Sequence, residues 1–442
     1  MKGHADELAG FCLGITAENL PSAVEHEARR ALVDVLGCVF LGAGEPSLNL
    51  RLPVAAEAGR PAASAFGRSG SRAAAPAAAA AHNACLAQVH DANDGHTAAA
   101  ARKGLGHPGR AVVPTALAAV EADGGCLGDA VAAIAAGYEF GCRLLARHQP
   151  LNLEALGAVA ALARQRRMPV EAFLAAAGLA LPLSPQVLPL GWARSTHHNF
   201  LRCGAASRVA WEAEQAAGDG LRGPALSDAA ADCLLSFETD GLGESFALSG
   251  RYSKPYPSCR MTHAAVECAL AIRERPGFDV SRVREAEAAV VPGALYVAGT
   301  EVHEDFKRRA FSLPVCTGIA LVCGRLTPDL LRSSLPPEVA AIAKRTTVTE
   351  DASFLDWYPS RGRPSRLRLT MEDGTVYEHR VDVPLGEPGN REPDERLLAR
   401  FAAYGEGVCP RGALAAAAEQ ILYGPRATPV AEVMRHLTEG SA

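Results

Sequence analysis

Up to about residue 250 this chain runs in alanine-rich stretches whose apolar residues recur at helical spacing, and beyond that point the spacing changes. That change constrains the fold more than any single motif. Alanine has the highest helix propensity, whereas a half-buried strand needs apolar residues at every second position. The segment "LPSAVEHEARRALVDVLGCVFLGAG" puts Pro21 at a helix start, repeats Val24, Ala28, Leu32, Val35 and Leu36 at helical period, and closes at Gly42 to Gly44. Residues 5 to 43 therefore read as two helices. From 72 to 123 alanine-rich helices surround one polar loop, "HDANDGHTAAAARKGLGHPGR". Further helices follow in "CLGDAVAAIAAGYEFGCRLLARH", in "LEALGAVAALARQRRMPVEAFLAAAGLAL", which holds two, and in "HHNFLRCGAASRVAWEAEQAA".

Past residue 250 a strand-like run occupies 286 to 291, and "PSRLRLTMEDGTVYEHRVDVP" reads as a hairpin. In it Leu367 and Leu369 alternate with arginines, Asp373 and Gly374 supply the turn, and Val376 starts the return. Helices are expected at 260 to 275 and 310 to 325, and the chain is helical again after "LGEPGNREPDERLLARF". The expectation is a mainly α fold with an α+β second domain. A large all-helical domain comprises 1–250 with 395–442, and a smaller α+β lid comprises 251–394. A cleft between two such lobes is a common place for a site.

Composition excludes several classes. The net charge of −5 leaves no basic footprint for nucleic acid. No apolar run is long enough to span a membrane, and the nearest, "AAAPAAAAAHNACLAQ", is broken by Pro76 and His82. The N-terminus "MKGHADELAGF" lacks the apolar core of an export signal, so a cytoplasmic protein is expected. Twelve cysteines stand singly from Cys12 to Cys409 without a CxxC pair, and read as buried reduced thiols. There is no GxGxxG after a strand, no P-loop, no GxSxG and no HExxH.

Four polar clusters stand out. The first is the loop holding His90, Asp91, Asp94, His96, Lys103 and His107. Its spacing fits no zinc pattern, and "DANDG" places Gly95 one position early for a calcium loop. Acid/base and anion-binding chemistry is the favoured reading over a metal site or a plain solvated loop. The second cluster is "RYSKPYPSCRMTHAAVECAL", where Lys254, one of only five lysines, stands near Tyr256, Cys259, Arg260 and His263. Pro255 and Pro257 hold an extended segment, and Ser258 and Thr262 are candidate caps of the next helix. With Lys254, Arg260 and His263, the helix start can form a carboxylate pocket. A lysine beside Arg260 is driven toward a lower pKa and so toward acid/base work that arginine cannot do. The third cluster is "RSTHHNFLR", with Arg194, His197, His198 and Arg202. The fourth, Lys307, Arg308 and Arg309, reads as a solvated face.

Taken in order, these pieces resemble the MmgE/PrpD family, which includes 2-methylcitrate dehydratase, cis-aconitate decarboxylase and iminodisuccinate epimerase. The resemblance rests on "LPSAVEHEARRALVDVLGCVFLGA", "HDANDGH" with "HPGRAVVPTALAAVEADG", "GYEFGCRL", "KPYPSCRMTHAAVECAL" and "PSRLRLTMEDGTVYEHRVDVPLGEPGN". It implies a homodimer with its site in the cleft, small di- and tricarboxylate substrates, and no metal or organic cofactor. Matched position by position, it implies catalytic roles for Asp91, His107 and Lys254, with Arg260 and His263 beside them. Three positions depart from the family. His198 stands where the family has lysine. No histidine falls in "PLNLEALG", the nearest being His148. Leu313 takes the place of the tyrosine of the decarboxylases.

The expected function is a cofactor-independent lyase that removes a proton α to a carboxylate of a hydroxy- or amino-polycarboxylate. Lys254 and His107 form the acid/base pair, and Asp91 orients His107 or takes a proton itself. Arg260, His263 and His198 hold carboxylates, and Asp94, His96, Lys103 and Tyr256 complete the substrate-binding set. Epimerisation and decarboxylation of a related acid, or an inactive binding homologue, are the alternatives. Nucleic-acid and membrane partners are not expected. The catalytic reading requires Asp91, His107 and Lys254 to converge.

Overall fold

A computed structural model of the chain describes residues 2–97, 99, 106–146, 152–184, 198–227, 234–303, 305–410 and 412–439. Its larger hydrophobic cluster is helical. It draws on Ser22–Ala43, Pro76–Ala87, Gly109–Ala122, Leu127–Arg143, Glu154–Gln165, Val170–Leu183 and His198–Gly218. The C-terminal helices Asp394–Gly405, Ala413–Tyr423 and Val430–Glu439 rejoin the same cluster. Small residues set the spacing of these helices. A β-carbon on Gly42 would lie 2.2 Å from the Leu86 carbonyl oxygen, so Ser22–Ala43 can cross Pro76–Ala87 only with glycine there. Aromatic residues are few, and Phe40 is a hub among them, packed edge-on against Phe66 at 4.9 Å and Phe401 at 5.4 Å. Truncating it to alanine is expected to cost about 3–5 kcal/mol.

The second cluster lies between residues 256 and 371 around a four-stranded sheet. The strand order is Val376–Val381, Ser365–Met371, Val283–Val290, Thr346–Glu350, with only the last pair parallel. Along Ser365–Met371, Leu367, Leu369 and Met371 are buried while Arg366 and Arg368 are exposed, the alternation expected of a sheet with one covered face. His263–Arg273 and Leu313–Cys323 pack together on the covered side. The turn of the hairpin lies at Asp373 and Gly374, and Gly374 takes φ +84°.

Two local expectations are corrected. Residues 72–74 belong to a strand, because Ala63–Gly67 and Gly70–Ala74 form a hairpin ahead of the helix that begins at Pro76. Neither Ser258 nor Thr262 caps His263–Arg273. A short 3-10 turn at Arg260–Thr262 precedes that helix, and the two hydroxyls bond each other at 2.8 Å. Among the described residues no helix is long and apolar enough to cross a membrane.

The segment 251–254 joins the lobes. Arg251 and Tyr252 pair antiparallel with His96 and Gly95, and Ser253 N–H donates to the Gly386 carbonyl. Beneath it Asp34, from Ser22–Ala43, accepts from Arg251 at 3.0 Å and Arg400 at 2.9 Å. This buried lattice ties the chain that carries Lys254 to the floor of the helical domain.

Candidate active site

Asp91 adopts φ +52°, a left-handed conformation that aspartate tolerates better than most residues. The turn lets its carbonyl and its carboxylate serve one cation. Lys254 Nζ donates to the Asp91 carbonyl oxygen and to Oδ2, both at 2.7 Å. Gln88 Nε2 donates to Oδ1 at 3.1 Å. Lys254 is 1% exposed and Asp91 6%, so this ion pair is withdrawn from water and holds its geometry. Burial alone would raise the Asp91 carboxyl, but the Lys254 ammonium outweighs it, with Lys307 adding, and holds it below the usual carboxylate range.

His107 lies within Coulombic reach of both partners. Its Nδ1 donates to the Asp94 carbonyl oxygen at 2.8 Å, which leaves Nε2 with a lone pair. Burial, with the Arg110 and Lys254 cations, pushes the imidazole down to about 3. It stands as a neutral ring in a fixed tautomer. The three residues named for catalysis from the sequence are therefore brought together.

Around them is a set of charges that the sequence reading did not assemble. Arg110 donates from Nε to Glu154 Oε1 at 3.1 Å, and also to Gln88. Arg202 Nη1 shares the same Glu154 oxygen at 3.1 Å. Burial would raise Glu154, but Arg110 and Arg202 hold it at about 2. Lys307 also belongs here, which corrects the expectation of a solvated face. Lys307 and Arg309 are each 2% exposed, and only Arg308 turns outward. Lys307 Nζ sits 3.4 Å above the centre of the Phe200 ring and 3.4 Å from the Gln88 carbonyl oxygen. The signal lost in sequence was periodicity, since Phe306–Arg309 is a helix of four residues.

The substrate-binding set divides. Every guanidinium nitrogen of Arg260 is engaged within the protein, by Glu387, His263 Nδ1 and the carbonyls of Leu385 and Pro384. His263 takes that bond on Nδ1 and donates from Nε2 to the Ser258 carbonyl at 3.2 Å. Neither has a polar atom left for a substrate carboxylate. Burial and the neighbouring Arg260 hold His263 neutral, far below its ordinary range. Arg363 joins Arg260 on Glu387, and the two guanidinium groups lie against Tyr252 at 4.8 and 5.1 Å. Asp94 faces Tyr138 and Arg251, and burial raises it to about 6. His96 lies against Gly250 and lines a separate pocket with Arg143 and Glu238. Tyr256 stands under Arg396 in a groove of about 990 Å³ between the lobes. Lys103, His148, Arg194 and His197 lie outside the described residues, as does the side chain of His198, whose backbone begins a helix. Leu313 is fully buried in the core of the smaller lobe.

Among the described residues no group of three His, Cys, Asp or Glu side chains is arranged to hold a metal ion. What the site offers instead is an excess of positive charge. Lys254, Arg110, Arg202 and Lys307 face two carboxylates, Asp91 and Glu154.

No curated protein matches the chain. Residues 6–233 match the model of the MmgE/PrpD N-terminal domain, and residues 256–422 that of the MmgE/PrpD C-terminal domain. That family is one of enzymes, with dehydratase-type activity on organic acids. With both domains present in order over nearly its whole length, the chain belongs to the MmgE/PrpD family.

Proposed function

We propose that this protein is a cofactor-independent lyase acting by proton abstraction α to a carboxylate of a small hydroxy- or amino-polycarboxylate. The observation that carries the reading is the buried Lys254–Asp91 pair beside a neutral His107, set in a cluster with more cations than carboxylates.

The chemistry follows from charge. Substrate carboxylates entering this cluster offset the cations that depress His107, and so raise its proton affinity when a base is needed. His107 Nε2 takes the α-proton, and the C–H electron pair moves toward the carboxylate, which gains negative charge. Lys254 and Arg110 stabilise that charge more strongly in a dry site than in water. The electrons then form the C=C bond as the C–O bond breaks. Lys254 gives a proton to the departing hydroxide, so water leaves, and exchange with solvent restores both residues. Asp91, held by Gln88, keeps the ammonium in place. Arg260 and His263, expected to hold carboxylates, act in this reading as scaffold. Family resemblance supports a homodimer, which sedimentation tests.

The test is to incubate the protein with citrate, 2-methylcitrate, malate and cis-aconitate and to follow alkene signals by NMR. A new or vanishing alkene is expected with at least one acid. Inversion without alkene would move the reaction to epimerisation, and carbon dioxide release to decarboxylation. A folded protein that changes none of them contradicts the reading.

A further inference from the structure

Among the described residues, every cation around Asp91 has a carboxylate partner except one. Lys254 has Asp91, Arg110 and Arg202 have Glu154, and Arg260 and Arg363 have Glu387. Lys307, 2% exposed, has none among the described residues. Among the described residues its only polar contact is the long one to the Gln88 carbonyl, and its underside rests on Phe200. Arg202, two residues along the same helix as Phe200, is 8% exposed and leaves Nη2 without a hydrogen-bond partner among the described residues. Cys203 is a common neighbour, within Coulombic reach of Arg110, Arg202 and Lys307. A buried ammonium with one weak acceptor is costly to keep, and such groups are ordinarily paired.

We propose that Lys307 and the unpartnered edge of Arg202 form a second anion subsite, which takes the substrate carboxylate farther from the reacting carbon. The subsite makes this protein selective for acids with at least two anionic groups. It rests on the polycarboxylate reading for the identity of the anion, but not for its own existence. The Phe200 face holds Lys307 from below and leaves its donors for the ligand. The subsite titrates. Burial pushes Lys307 down to about 7, with Asp91 and Asp305 opposing and Arg110 adding to the fall. Among the described residues Cys203 and His90 also face it. An anion favours the charged ammonium, so binding should weaken as pH rises through 7.

The test uses thermal shift and calorimetry on the whole protein with sulfate, citrate and propionate, in wild type and in Lys307→Met and Lys307→Arg. Methionine keeps the volume and strands no carboxylate, so the fold should survive. Sulfate and citrate are expected to stabilise wild type and Lys307→Arg. Lys307→Met should lose at least tenfold in affinity for both, with propionate unchanged. Sulfate protection that depends on Lys307, with no response to citrate, would sustain the subsite and count against the polycarboxylate reading alone. Equal responses of wild type and Lys307→Met, or a wild type indifferent to sulfate and citrate, would overturn the subsite.

Discussion

Two charged clusters are built from the same stretch of chain, and they behave in opposite ways. Lys254 reaches back to Asp91 and joins a group with surplus cations. Six residues on, Arg260 turns to Glu387 and closes a group in which every nitrogen of its guanidinium is engaged. Among the described residues the first cluster holds more cations than carboxylates. The second is complete, and it fixes the 384–387 turn against Tyr252. In a sequence both read as cations near a histidine. What separates them is whether a carboxylate from elsewhere in the chain already answers each charge.

The contrast can be broken by mutation. Lys254→Ala should reduce turnover roughly 10²- to 10⁴-fold, the usual range for a general acid or base. It should also destabilise the protein by about 3–5 kcal/mol, because Asp91 is left as an uncompensated buried charge. The double variant Lys254→Met with Asp91→Asn should recover most of that stability and none of the activity, which urea titration and turnover would separate. Arg260→Ala should do the reverse. It is expected to cost about 1–3 kcal/mol through stranded acceptors, while kcat of the folded fraction stays unchanged. A large fall in kcat without loss of stability would erase the distinction between the clusters.

Packing gives a smaller effect. A β-carbon at Gly109 would meet Asp94 Oδ1 at 2.3 Å and the Tyr138 hydroxyl at 2.6 Å. Gly109→Ala should therefore cost about 1–3 kcal/mol and disturb the Asp94 carbonyl that fixes His107, lowering activity as well. The smallest effect sharpens the view of His107. Its folded pKa, about 3, lies below the ordinary histidine value of about 6.5. The unfolded chain therefore binds the extra proton first, and stability present above about 6.5 is lost as pH falls toward 3. His107→Gln should reduce the slope of stability against pH in that window by about one proton. An unchanged slope would mean that His107 is not held neutral.

Much of the architecture was legible because it is written in periodicity. Alanine runs gave the helical domain, and the alternation of Leu367 and Leu369 with arginines gave the hairpin. The 63–74 hairpin was missed because its strands are short and rich in alanine. In the site, Asp91, His107 and Lys254 were legible as rare chemistry in loops and turns. Arg110 and Glu154 were not, since each sits in an ordinary helical run and acquires its role only when two helices meet. Lys307 was misread because a three-residue basic run gives no sign that its first and last members turn inward.

The most direct measurement is deuterium incorporation from heavy water into a turned-over polycarboxylate, followed by proton NMR in wild type, Arg260→Ala and Lys254→Met. The account predicts exchange at the α-carbon in wild type and in the folded fraction of Arg260→Ala, and silence in Lys254→Met. Exchange by Lys254→Met at the wild-type rate would contradict it.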